Sequence, residues 1–198
     1  MSRLESVLRA AARDLSELGL RWALVGGLAV SARTEPRFTR DVDLVIAVPG
    51  DLDAEQAVHA LQRRGYRIDA LVEQEAAGRL ATARLAPPQE DDAGIVLDVL
   101  FASSGIEPEI TEAAEELEVF PGLRVRVAGV GHLLALKLLS RDDRTRPQDR
   151  ADLVALLRAA TRADVEEARG AVALIQARGF HRDRNLSRDL ERLIAQGA

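Results

Sequence analysis

One stretch, GGLAVSARTEPRFTRDVDLVIAV from Gly26 to Val48, limits what this chain can fold into more than any other. Before it, Trp22-Ala-Leu-Val25 reads as a short buried strand, and the two glycines stop that strand. Leu28 to Arg33 has room for one or two helical turns. Thr34 to Arg40 is a polar return, and Val42 to Val48 reads as a second strand with Asp41 and Asp43 at its start. Side chains alternate along a strand, so Asp41 and Asp43 share one face while Val42, Leu44 and Ile46 take the other. Two carboxylates therefore stand near a glycine turn that opens a helix. Glycine lets a backbone approach a phosphate closely, and a helix N-terminus offers free N–H groups to an anion. Paired carboxylates offer hard oxygen ligands to Mg²⁺. The combination points to chemistry on a nucleoside triphosphate.

A D-x-D pair means little by itself. With 16 Asp in 198 residues, chance alone supplies about one such pair. Asp51 and Asp53 form a second pair, which reads as helix capping and a solvated first turn. Asp41 and Asp43 differ because they open an apolar strand behind a strand–glycine–helix unit. Asp98 is the third carboxylate of interest. It interrupts IVLDVLF, where a lone carboxylate is costly unless paired or metal-bound. If that strand lies beside the one beginning at Asp41, Asp98 faces the same pocket. Two Mg²⁺ ions could then clamp a triphosphate and an attacking hydroxyl, and Asp98 could take the hydroxyl's proton. The plain alternative gives Asp98 an arginine or a helix N–H as its partner.

The 27 basic residues comprise 26 Arg and one Lys, Lys137. A single Lys in a chain that otherwise uses Arg invites a chemical reason, and a compact ammonium suits a point contact to a phosphate. Within LLALKLL, Lys137 shares a helix face with Leu133, Leu134 and Arg141, and is expected to be semi-buried. The alternative is a Lys snorkelling at a helix edge. Asp149 and Asp152, three apart on the next helix, face one way, and either could set the position of Lys137. Arg33, Arg37 and Arg40 line the loop before the carboxylates and are candidates for phosphate contact or for solvent. Arg178, Arg182, Arg184 and Arg188 alternate with Asp183 and Asp189 and read as surface. His59, His132 and His181 are too scattered for a histidine metal site.

In order along the chain, Ser2 to Leu18 is an amphipathic helix ended by Gly19, and Asp51 caps a helix over 52–64. Tyr66–Val72, Leu80–Leu85 and Ile95–Phe101 read as strands, the last two as an antiparallel pair, with turns over 73–78 and 87–94. Residues 103–117 are weakly helical, and 117–120 and 123–127 are short strands. After Gly129 only helices follow, over 130–140, 150–160, 164–178 and 182–195, with a charged loop at 141–147. This is an α/β (α+β) pattern with a helical C-terminal lobe, split near Gly129 into a core of 1–129 and a lobe of 130–198. A net charge of −5 argues against a broad electrostatic nucleic-acid binder, and 3% aromatic residues leave few stacking platforms for bases. There is no cysteine for a thiolate metal site. The charged first segment is not a signal peptide, and no run is apolar enough for a membrane span, so a soluble cytoplasmic protein with no membrane partner is expected.

The order GG, then D-V-D opening a strand, then a lone Asp in a later strand, resembles the nucleotidyltransferase superfamily that includes DNA polymerase β. HLLALKLLSRDDRTRPQDRADLVALL, with Lys followed by D-x-x-D, is similar to the AbiEii/AbiGii group of toxin-type and minimal nucleotidyltransferases. The resemblance covers roughly residues 20–160 in four short motifs. It implies a mixed β-sheet flanked by helices. It implies metal ligation by Asp41, Asp43 and Asp98, with Mg²⁺ or Mn²⁺ as the ion. It implies nucleotide-phosphate contacts from Gly26 and Gly27, and supporting roles for Lys137 and Asp152. The implied activity moves a nucleoside monophosphate from an NTP to a hydroxyl, whether a tRNA end, a protein side chain or a small molecule. A cognate antitoxin is the implied protein partner. The alternative is a non-catalytic relative that binds nucleotide or a partner protein.

Overall fold

Ser2 starts the first helix by accepting a hydrogen bond from the Glu5 backbone N–H at 3.1 Å. That helix, α1 (Arg3–Glu17), buries Val7, Leu8, Ala11 and Leu15 along one stripe. The computed structural model of the chain describes residues 2–74, 78–88, 94–142 and 147–197. The remaining elements are β1 (Arg21–Val25), α2 (Gly26–Arg33), β2 (Asp41–Ala47), α3 (Asp51–Arg63), β3 (Arg67–Gln74), β4 (Arg79–Ala86) and β5 (Val96–Leu100). They are followed by α4 (Glu107–Ala113), β6 (Glu115–Phe120), β7 (Leu123–Val127), α5 (Val130–Ser140), α6 (Pro147–Ala159), α7 (Arg162–Ala177) and α8 (Leu186–Gly197).

The strands form one mixed sheet in the order β3-β4-β5-β2-β1-β7-β6. Strand β2 runs antiparallel to β1 and parallel to β5, so the sheet centre is built from the stretch around the two glycines and the later strand that carries Asp98. The expected antiparallel pairing of β4 with β5 is present. Val42, Leu44 and Ile46 on β2 and Leu97 and Val99 on β5 are buried on one face, and farther along β2 Val45 is buried on the other as well. That second face carries the carboxylates.

Helix α5 is apolar almost all round, and such a helix belongs inside. Leu133, Leu134 and Leu138 have no exposed surface, and each full burial contributes on the order of 2 kcal/mol. Helices α2, α6, α7 and α8 pack around it. One continuous hydrophobic cluster runs from Leu8 of α1 through Leu24, Ile46 and Leu97 of the sheet to Leu133, Leu186 and Leu190 of the C-terminal helices. The residues after Gly129 thus belong to the same core as the sheet.

Several boundaries differ from expectation. Asp51 does not cap α3: Gly50 holds the N-cap position without a side-chain bond, and Asp51 Oδ1 instead accepts from the Leu80 backbone N–H at 3.2 Å and from Arg79 Nε at 3.3 Å. Tethering the start of β4 outweighs capping, because the two elements are adjacent. The weakly helical region condenses to α4, and β6 begins two residues early because Glu115 and Glu116 pair with Val127 and Arg126 of β7. Helix α6 begins at Pro147, a residue suited to a first helical turn. The parts of the expected loops over 75–77, 89–93 and 143–146 lie outside the described residues.

Candidate active site

The two glycines do different work. Gly26 has φ +65°, a conformation that costs most residues steric strain, and a methyl group at its Cβ position would overlap the Asp43 carboxylate. A methyl at Gly27 would overlap the Arg37 guanidinium and crowd the Thr39 hydroxyl. The turn from β1 into α2 is therefore pressed against Asp43 on one side and Arg37 on the other. Only glycine permits both approaches.

Strand register brings the carboxylates together. Asp43 lies opposite Asp98 across the parallel β2–β5 pair, and Asp41 precedes Asp43 by two on the same face. Asp41, Asp43 and Asp98 line one open cavity of about 950 Å³ with Gly26, Gly27 and Lys137. Burial, then the charges of Asp98 and Asp41, push the Asp43 carboxyl up to about 6, against the pull of Lys137 and the Gly27 backbone N–H. Asp98 is held differently: its Oδ1 and Oδ2 accept from Arg84 Nε and Nη2 at 2.9 and 2.8 Å.

The opposite wall is an ion network. Lys137 Nζ lies 2.9 Å from Asp149 Oδ1 and 2.9 Å from Asp152 Oδ2. Arg37 joins it, donating from Nη2 to Asp152 Oδ2 at 2.8 Å, with Nε 2.7 Å from Oδ1. Asp149 and Asp152 are both buried. Two buried carboxylates on successive inward turns of α6 thus hold two cations from α5 and from the 34–40 loop. The question of which Asp holds Lys137 is answered by both. Lys137 is no snorkelling edge residue; its side chain is 13% exposed.

The donor set fits a hard divalent cation. Asp41 and Asp43 supply carboxylate oxygens to the cavity, and Asp43 is short of positive charge. Among the described residues, no three His, Cys, Asp or Glu side chains form a ready-made metal cage. The third carboxylate, Asp98, has both oxygens engaged by Arg84.

A family model described as nucleotidyl transferase AbiEii toxin, type IV TA system, matches residues 7–197. The chain belongs to that family. It is accordingly an enzyme of the nucleotidyltransferase class, and its mixed sheet with flanking helices is the fold of solved nucleotidyltransferases. An antigenic nucleotidyltransferase-like protein from Paracoccidioides brasiliensis is 22% identical, with a TM-score of 0.53 over 97% of this chain and 92% of that one. The antibiotic-resistance factor ANT(2'')-Ia is 17% identical, with a TM-score of 0.55 over 87% and 91%. The lincosamide antibiotic adenylyltransferase LnuA is 14% identical, with a TM-score of 0.52 over 79% and 98%. No curated protein matches the chain by sequence.

In this AbiEii-family chain the other arginines divide sharply. Of the three candidates near the loop, Arg37 lines the cavity. Arg33 instead clamps the carbonyls of Val127 and Ala128 and pairs with Glu115, and Arg40 stacks over the Phe38 ring at 5.4 Å. Arg178, Arg182 and Arg188 are exposed, in keeping with the surface reading, whereas Arg184 is half-buried and departs from it. Arg178 bonds the Gly105 carbonyl and Glu109. Arg184 bonds the Leu138 carbonyl at 2.9 Å, covering the C-terminal end of α5, where a cation is favoured. Arg182 and Arg184 both line the cavity, and Arg182 and Asp183 adopt φ values of 52° and 56° in the turn that carries them there. Sequence reasoning missed Arg84 and Thr39. The alternation Thr82-Ala-Arg84 was a usable signal for Arg84, but only with the β4–β5 register in hand.

Proposed function

We propose that this chain is a Mg²⁺-dependent nucleotidyltransferase, able to use Mn²⁺, that moves a nucleoside monophosphate from an NTP to a hydroxyl acceptor. The observation that carries this reading is the Asp43 carboxylate packed against the Gly26 turn, in one cavity with Asp41, Asp98 and Lys137. Gly26 and Gly27 let the triphosphate approach the backbone at the start of α2, whose N–H groups favour an anion. Lys137 and Arg37, held in place by Asp149 and Asp152, line that end of the cavity and are the cationic groups that would meet the phosphates. Asp41 and Asp43 are the groups that would hold the cation, with Asp98 beside them. A bound divalent ion would supply charge stabilisation at the phosphates. Asp98 takes the proton of the attacking hydroxyl. The new bond joins the acceptor oxygen to the α-phosphorus, and the bond to the β-phosphate oxygen breaks to release pyrophosphate. Family membership supports a role as the toxin of a toxin–antitoxin pair, with a cognate antitoxin as partner and the cytoplasmic NTP pool as source. No helix among the described residues is long and apolar enough to cross a membrane.

The test is incubation with α-³²P-labelled NTPs, Mg²⁺ and a cell extract. Transfer of label to a macromolecule or metabolite, lost in Asp43→Asn, is the expected result. Absence of transfer together with absence of metal-dependent NTP binding would instead favour a non-catalytic binding protein.

A further inference from the structure

Asp98 is committed before any ligand arrives. The bidentate pair with Arg84 is dictated by strand register: Asp43 of β2 is opposite Asp98 of β5, Asp98 is opposite Arg84 of β4, and Arg84 is opposite Ala70 of β3. The four residues form one row across the sheet, with strands about 4.8 Å apart. The Asp98 side chain is 13% exposed and that of Arg84 48%. A ligand in the cavity therefore meets the guanidinium first. The next row on the same face is Leu100, Thr82 and Val72, and all three line the cavity. The cavity thus has two dissimilar ends. One holds the glycine turn, Arg37 and Lys137. The other is an aliphatic floor with Arg84 set at its edge.

We propose that Arg84 is an internal counter-ion that withholds Asp98 until an oxyanion carried by the acceptor takes over the guanidinium. This deepens, and rests on, the nucleotidyltransferase reading above. The planar fork of Arg matches a carboxylate or a phosphate bidentately, so exchanging one oxyanion for another keeps both hydrogen bonds. Moving Arg84 off Asp98 with no replacement forfeits them. The triphosphate is accounted for at the glycine end, so the replacement anion comes from the acceptor on the aliphatic floor. The acceptor is then a hydroxyl compound with a phosphate-type oxyanion near the reacting hydroxyl. A polycationic acceptor would leave the Arg84–Asp98 pair closed.

Mn²⁺ binding to the full chain, followed by electron paramagnetic resonance without turnover, tests this. Arg84→Ala should bind Mn²⁺ about tenfold more tightly than wild type, and the gain should vanish in Arg84→Ala/Asp98→Asn. Arg84→Gln, which keeps the aliphatic stem, serves as the second variant if Arg84→Ala does not fold. Sulfate, the probe for the acceptor's oxyanion, should tighten Mn²⁺ binding to wild type but not to Arg84→Ala. Equal affinity in wild type and both Arg84 variants, or a gain that persists without Asp98, overturns the counter-ion. A sulfate effect abolished by a saturating non-hydrolysable ATP analogue means that the triphosphate itself takes Arg84, and overturns the acceptor assignment. Failure of every protein to bind Mn²⁺ overturns the metal site as well. Equal binding by wild type and the Arg84 variants, with loss in Asp43→Asn, removes the counter-ion alone.

Discussion

Asp43 is the residue at which the candidate site works against the fold. Its carboxyl rises from an ordinary 3.8 to about 6, first through burial and then through the charges of Asp98 and Asp41. An acid whose folded-state pKa is raised favours the folded state most below its unfolded pKa. That advantage is lost as the pH climbs from about 4 through about 6. Above pH 7 the metal-free protein carries the whole penalty, on the order of 3 kcal/mol at 1.36 kcal/mol per pKa unit, as an upper figure. Asn at this position keeps the shape and discards the charge. In EDTA at pH 8, Asp43→Asn should be more stable than wild type by roughly 1–3 kcal/mol, which for a chain this size raises the melting temperature by about 2–4 °C per kcal/mol. At pH 4.5 the advantage should shrink to about a third, because folded wild-type Asp43 is then protonated. Urea titrations followed by circular dichroism at the two pH values measure it. Adding Mg²⁺ with a non-hydrolysable NTP analogue should reverse the order, since wild type alone keeps the full donor set. Asp53→Asn is the control and should follow wild type throughout. An Asp43→Asn protein no more stable than wild type at pH 8, or one whose advantage is the same at pH 4.5, would refute the reasoning.

Two further outcomes follow from the same geometry. Gly26→Ala combines a left-handed backbone with overlap onto Asp43; it should cost at least 1–2 kcal/mol of stability and abolish the thermal shift with metal and nucleotide. A normal shift in that variant would show that the Gly26–Asp43 approach has no bearing on binding. Lys137→Ala strips one of the two cations from the buried Asp149–Asp152 pair and should destabilise the chain by about 3 kcal/mol as well as weaken NTP binding. Denaturant unfolding identical to that of wild type would mean that the network carries no weight.

Much of this was legible because local patterns are decided locally. Two glycines after an apolar run, Asp at alternate positions, and a carboxylate inside IVLDVLF each state their cost or conformation without reference to the rest of the chain. Lys137 stood out by composition, and Asp149 and Asp152 by helical spacing. The alternation in β2 put Asp41 and Asp43 on one face before any neighbour was known. What the sequence could not supply was register and reach. Nothing in ATARL says that Arg84 lands opposite Asp98, because the nine residues between β4 and β5 allow several pairings, and each shift by one turns the side chain to the other face. Nor could it show that Arg37 reaches across 115 positions to Asp152, or that Arg184 closes the end of α5. A short loop arginine looks the same in sequence whether it meets water or a buried carboxylate. The sequence determined which groups exist and which way each strand presents them. The tertiary structure decided which charges meet, because pairing depends on distances set by packing between elements far apart in the chain.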